Sequence, residues 1–484
     1  MTRRAPTTPV RGSAGRLAER TGSGIGIGLC LGAALGALVG AGAIVALSLP
    51  VAALVLAAWL AQRHERPDYL EMVFWLWILT PWVRRVVDMH TGYSEQSLVL
   101  LVAPLASLPG VATGLLRQMR VRSEVRRVLV VALVAIAYAT AAGVIRFGIQ
   151  PALVGGTVWL APLGAGLWAA ATPCPTHELR RAVGRLSVGG ALVLGVYGVY
   201  QFFRLPEWDA YWMENVDLVS IGTPVPLGVR VFGTLNAPVP YAMVLGALLI
   251  VASTVPSRWR VLTAMAGMAG LALSLVRTAW IGFVAALAAM LVGGRARTAR
   301  AALMLVVVPT LVLVVLGGPA RDAVISRFDA TVEKGTEDRS FSDRVFFYGD
   351  NLPSAATDLS GRGFGKVGVG AGAVDDSAEV ETIRAVDSAI LEALFSMGSL
   401  VGAAFLVAVT VGVVGTLRRS REEGALDRAM AAALLGLVVQ APLGNPFNSA
   451  PAAVFWMLFA VAARTEVPAG ERRTSDQRRI RTWS

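Results

Sequence analysis

Three side-chain classes are scarce in this chain of 484 residues, which carries two cysteines, three histidines and only 16% charged residues. Cys30 and Cys174 sit in or beside apolar runs with no paired spacing, which excludes a disulfide framework and a thiolate metal site and leaves them as small packing residues. The shortage of charge, with 55% hydrophobic residues and a mean hydropathy of +0.61, excludes a soluble globular domain. No internal repeat stands out, and paired halves are the usual signature of transporters.

What is present is a succession of closely spaced apolar runs, so the chain is expected to be an all-α polytopic membrane protein of about 12–14 transmembrane helices. A crossing needs about 20 apolar residues, fewer where flanking side chains snorkel or the bilayer thins. Candidate spans are 25–41, 43–61, 70–83, 98–116, 128–144, 151–171, 186–203, 238–255, 261–276, 278–293, 301–316, 388–417, 429–443 and 450–463. A basic tail (1–22) precedes an amino-terminal bundle (23–203), and a second transmembrane region (204–464) precedes another basic tail (465–484). The apolar run after the first tail continues with no small-residue cleavage site, so it is read as a retained span. Within it Gly32, Gly36 and Gly40 recur every four residues, a spacing that lets another helix approach closely.

The net charge of +12 comes as short arginine clusters between spans, which argues against a nucleic-acid surface and for the positive-inside rule. Clusters such as Arg63/Arg66, Arg117/Arg120/Arg122, Arg180/Arg181/Arg185 and Arg418/Arg419/Arg421 fall on every second connection. That places both termini in the cytoplasm and turns outward a long polar loop, 317–386, containing short helices. Of the three histidines, His64 and His177 then face inward and His90 alone faces outward, which disfavours a histidine general base outside and assigns proton transfer there to a carboxylate.

A charge at mid-bilayer costs about 2.5–3.5 kcal/mol on insertion scales, so outward arginines in apolar context need a reason. Arg277 stands alone in LALSLVRTAWIG, and Arg230 precedes a Gly–Thr and Asn–Ala–Pro turn that runs into a helix. The plain alternative for Arg277 is an interfacial arginine snorkelling beside Trp280; the sharper one is an anion clamp at helix starts. Arg84 and Arg85, followed by Asp88, lie on the same side, where a surface ion pair competes with ligand binding. In the long loop SFSDRVFFYGDNLPSAATDLSGRGFGKVG reads as a polar helix with Arg344, a turn at 351–353 and a glycine strip. Gly363, Gly365 and Gly368 match G-x-G-x-x-G without the strand and helix of a dinucleotide unit, so they are read only as backbone donors for sugar or phosphate. Asp375–Asp376 offers no third ligand at useful spacing, so no metal is expected.

The order of Arg230 in RVFGTLNAPVPYA, Arg277 in LSLVRTAWIG, Arg344 with GRGFGKVG and Asp387 in VDSAILEALFSMGSLVG resembles the O-antigen ligase and O-antigen polymerase superfamily of bacterial envelope glycosyltransferases. The resemblance covers roughly residues 204–443 and implies a GT-C-like fold in the plasma (inner) membrane, with the active site facing outward. It implies a polyprenyl-diphosphate-linked glycan donor, a glycan or lipid-linked acceptor, other envelope polysaccharide-assembly proteins as partners, and no cofactor. Arg230 and Arg277 would hold the diphosphate; Asp387, where ligases commonly have histidine, would activate the acceptor hydroxyl. Arg344, Arg84, Arg85, Gly363 and Gly365 would complete the substrate site. Two departures, Val276–Arg277 for the usual Ser–Arg and Asp387–Ser388 for His–Asn or Asp–Asn, tilt the expectation from ligase to polymerase. A lipid-linked oligosaccharide flippase is the alternative of another class.

Overall fold

The computed structural model describes residues 21–216, 218–292, 298–305, 339–365 and 388–465, with positions 307, 318, 322 and 367 and without the side chains of 219 and 339–347. All regular structure among them is helical. In chain order the helices are α1 (Thr21–Gly36), α2 (Gly42–Gln62), α3 (Asp68–Thr91), α4 (Val102–Leu116), α5 (Ser123–Phe147), α6 (Ile149–Ala171), α7 (Thr176–Arg204) and α8 (Glu207–Asn215). They continue with α9 (Pro238–Ala252), α10 (Arg260–Leu273), α11 (Arg277–Leu291), α12 (Arg339–Thr357), α13 (Ala389–Arg419), α14 (Ala425–Val439) and α15 (Ser449–Ala462).

The local signals are ordinary ones. Asp68 and Glu71 open α3, and Glu124 and Arg146 bracket α5, each charge placed to complement the helix dipole. Proline starts α9, where its missing N–H costs nothing. Among the described residues six helices are long and apolar enough to cross a membrane, with Thr21–Gln62 counted as one across its bend at Gly40. α9, α10, α11 and α15 are apolar but only 14–15 residues long, about 22 Å at 1.5 Å per residue against a hydrocarbon core of about 30 Å. α9 and α15 are apolar all round and buried, whereas α1 and α2 expose Leu35, Ile44, Leu47 and Val51, as lipid-facing helices do.

Ion pairs and carbonyl contacts gather the arginine clusters at one end of the bundle. Arg419 pairs with Glu124 at 2.6 Å, Arg185 with Glu71 at 2.6 Å, Arg180 with Asp427 at 2.8 Å, and Arg122 with Glu423. Arg464 donates to the carbonyls of Ala169 and Thr172, both at 2.8 Å, and of Cys174 at 2.6 Å, closing the carboxy-terminal helix onto α6. The connections after α3, α5 and α7, the α10–α11 turn and the start of α13 lie at the opposite end.

Four local expectations change. The helix expected over 70–83 runs to Thr91, so Arg84 and Arg85 lie in its last two turns, because both guanidinium groups find partners inside the bundle. The turn expected at 351–353 is helical through Thr357; Leu352 and Pro353 are exposed there, so water takes the carbonyl that proline cannot satisfy. Close helix approach in α1 occurs at Gly22 and Gly26, which meet the backbone of Asp68 and Met72; of the three expected glycines Gly36 meets the Val45 side chain, while Gly32 and Gly40 face open space. The span expected over 388–417 is broken within α13, since Gly398 (φ +80°, ψ 161°) takes a positive-φ conformation open to glycine and divides the helix.

Gly143 of α5 lies directly on Phe364, and a Cβ there would collide with the Phe364 carbonyl oxygen. Gly143→Ala is expected to cost about 1–3 kcal/mol, as overpacking does, and to lower the apparent Tm in detergent, while Gly28→Ala, with nothing near its Cβ, leaves it unchanged.

Candidate functional site

Arg230 and Arg277 come to the same helix ends. The backbone N–H of Arg230 bonds to the Ile221 carbonyl at 2.8 Å and that of Val231 to the Leu273 carbonyl at 3.3 Å, which lays this segment along the end of α10. The Arg230 guanidinium then reaches the Ser220 carbonyl at 2.9 Å and the Leu275 carbonyl at 3.3 Å. Leu275 is the left-handed residue (φ +55°) of the turn that launches α11, and Arg277, half-buried, is the first residue of that helix. Trp280 donates its indole N–H to Leu271 at 3.3 Å, across the same turn. The Arg230 guanidinium therefore lies against the turn that leads into Arg277 and the N–H groups of a helix start, an arrangement that favours an anion.

Arg85 shapes that corner from behind. It is fully buried and donates to Asp209 at 2.7 Å, to the carbonyls of Leu235 and Gly233 at 2.6 Å each, and to Asn236 at 3.2 Å. Gln201 completes the net, donating to Asp209 at 2.6 Å and accepting the N–H groups of Phe232 and Gly233 at 3.0 and 2.9 Å. Arg85 thus holds the 232–236 turn, immediately after Arg230, in place. Arg84 is also buried, bonded to Asp88 at 3.0 Å and to the Ser94 carbonyl at 2.6 Å. Both form interior pairs rather than surface ones.

The glycine strip does its work inside the bundle. Where Gly398 breaks α13, the carbonyls of Phe395 and Ser396 lose their helical donors, and the N–H groups of Arg362 (2.6 Å) and Gly363 (3.0 Å) take them. The Phe364 N–H goes to Ala139 of α5 at 2.9 Å, and its buried ring packs on Trp159. Gly363 is left-handed (φ +81°) against the Gly143 backbone, which leaves no room for a side chain. Gly365 packs at Pro151, and Arg146 and Tyr138 donate to the carbonyls of Gly361 and Ser360. Arg344 lies on α12, its side chain outside the described atoms; Asp387 and Gly368 lie outside the described residues.

Next to Asp387 the start of α13 is well defined. Ser388 caps the helix, its hydroxyl accepting from Leu391 N–H at 3.2 Å, and Tyr348 of α12 bonds to the same hydroxyl and to the Pro442 carbonyl. The Ala389 N–H is shared between the carbonyls of Ala441 and Gly444, at 2.9 and 3.1 Å. The sequence left Glu392, with Asp343 and Asp350, open as an alternative to Asp387 for the carboxylate that meets the arginines. Glu392 is buried in the first turn of α13 and accepts from Trp159 at 3.1 Å, Asn445 at 2.6 Å and Asn448 at 3.4 Å. The signal was available, since a lone carboxylate inside an apolar run is expensive and calls for partners.

No curated protein sequence matches the chain. Residues 261–407, under a third of its length, match the family described as O-antigen ligase. The matched stretch takes in α10, α11, α12 and α13 as far as the break and beyond it, with Arg277, Arg344, Asp387 and Glu392 inside it and Arg230, Arg84 and Arg85 outside. Over those residues, in a polytopic helical setting, the chain is similar to the O-antigen ligase family, a match that supports the O-antigen ligase/polymerase-like superfamily.

Proposed function

We propose that this protein is a membrane glycosyltransferase that transfers or polymerises glycan repeat units from a polyprenyl-diphosphate-linked donor on the outer face of the plasma membrane, with inversion at the anomeric carbon. The observation that carries the reading is the shared corner of Arg230 and Arg277, formed where the Arg230 guanidinium meets the turn before α11. A lipid diphosphate is a leaving group whose developing charge two guanidinium groups stabilise directly, so the chemistry needs neither nucleotide nor metal. The acceptor hydroxyl attacks from the opposite face as the bond to the diphosphate oxygen breaks, and its proton passes late to a carboxylate, for which Asp387 is the proposed base. The arginine-rich end of the bundle faces the cytoplasm in this reading, and both termini lie there.

The broken helix α13 is the one feature that also suits a flippase, since transporters place such breaks around a mid-membrane cavity. Here the freed carbonyls are taken by the 361–364 strip instead of facing a cavity. That use of the break favours a rigid scaffold for chemistry.

The test is polymer or conjugate formation by the purified protein in detergent, where no membrane separates substrate from product. Arg277→Ala and Arg230→Ala are each expected to lower kcat about 10²–10³-fold, as loss of one preorganised oxyanion donor does, while the protein keeps its apparent Tm; wild-type rates in both variants would overturn the reading. The same assay run with EDTA is expected to give the untreated rate, and a rate abolished by EDTA and restored by a divalent cation would show that the arginines do not suffice.

A further inference from the structure

Glu392 is a buried carboxylate whose hydrogen-bond partners among the described residues are all neutral. Trp159 Nε1 meets Oε1, and Asn445 Nδ2 and Asn448 Nδ2 meet Oε2. The Asn445 amide orientation is fixed independently, because its Oδ1 accepts the Phe447 N–H at 2.8 Å, which turns the NH₂ group toward Glu392. Three N–H donors converge on a side chain that, as a carboxylate, only accepts. No arginine or lysine among the described residues pairs with it. Compensation comes instead from geometry, for Glu392 lies in the first turn of α13 and Asn448 is the N-cap residue of α15, so two positive helix ends meet there.

This carboxylate joins four pieces of chain: α6 through Trp159, α13 through its own backbone, the 441–448 turn through Asn445, and the start of α15 through Asn448. The 441–448 turn is also what holds the outward end of α13, since Ala441 and Gly444 accept the Ala389 N–H and Pro442 accepts from Tyr348, which in turn bonds Ser388. An aromatic row, Phe364–Trp159–Phe405–Phe447, backs the same junction with ring centroids 5.4–6.0 Å apart. The position of residue 388, where the chain enters α13, is therefore set through Glu392 and its asparagines. A junction that only filled space would be apolar, because burying a carboxylate is costly unless its direction is used.

We propose that Glu392 is a positioning residue for glycosyl transfer: it fixes the 441–448 turn, and through it the outward end of α13, where the chain leaves Asp387. The inference rests on the glycosyltransferase reading above and assigns Glu392 no contact with substrate. Misplacement of about 1 Å at a reacting group costs on the order of 10²-fold, so the effect belongs in kcat. Donor affinity belongs to the arginines.

The experiment compares wild type, Glu392→Gln, Asn445→Asp and the double variant in detergent, with the lipid-linked repeat as substrate. Glu392→Gln presents an NH₂ group to the NH₂ of Asn445, and kcat is expected to fall about 10–100-fold with the donor KM within about twofold of wild type. Asn445→Asp sets two carboxylates face to face and is expected to fall further. The double variant restores a donor–acceptor pair in reversed sense, and kcat is expected to recover most of the loss. Wild-type kcat in Glu392→Gln, or equal losses of kcat and donor binding with no recovery in the double variant, would sink the positioning role while leaving the glycosyltransferase reading intact. A wild-type protein with no transfer activity would overturn both.

Discussion

Inside a bilayer every backbone N–H and carbonyl needs a partner from the protein itself, and the break in α13 is where this constraint bears hardest. Gly398 cannot continue the helix at φ +80°, so the carbonyls of Phe395 and Ser396 are released at membrane depth. The 361–364 strip supplies their donors, and to get there it has to cross the bundle between α5, α6 and α13. Much of the local architecture follows from that insertion. Glycines at 143, 155, 361 and 363 keep the crossing thin, Phe364 fills the gap beside Trp159, and Arg146 and Tyr138 hold the entering chain.

The same need explains how arginine is used. Arg85, Arg428 and Arg464 each direct a guanidinium at backbone carbonyls of turns and helix ends: Gly233 and Leu235 of the turn before α9; Leu417, Ala289 and Val292; Ala169, Thr172 and Cys174. A planar fork spreads five donors over three nitrogens and so reaches carbonyls farther apart than the three donors on lysine's single nitrogen can. The abundance of arginine in this chain is thus partly a matter of membrane orientation and partly a means of closing helix ends.

The helical class was legible in the sequence because long apolar runs have few other readings, and the arginine clusters marked which connections share an end. Arg230 and Arg277 stood out because each is a lone charge in apolar context, and the structure sets the Arg230 guanidinium against the turn before Arg277. Arg85 was not separable from its neighbour Arg84 by sequence, since its partner Asp209 is 124 positions away and only the fold brings them together. The glycine strip was legible as unusual backbone but not as a donor set for a broken helix, because that depends on Gly398 in another segment. Glu392 carried a visible signal, yet its asparagine partners lie more than fifty residues on and gave none.

The short helices α10 and α11 set a condition on the surrounding lipid. Both expose apolar side chains outward, Leu262 and Met265 on one and Ile281 and Val284 on the other, so acyl chains pack along them. A hydrophobic face of about 22 Å cannot match a core of about 30 Å, and a bilayer meets such a mismatch by thinning locally. Under the proposed function, that thinning draws the head-group plane toward the α10–α11 turn, so that a phosphate-bearing lipid meets Arg277 without leaving its leaflet.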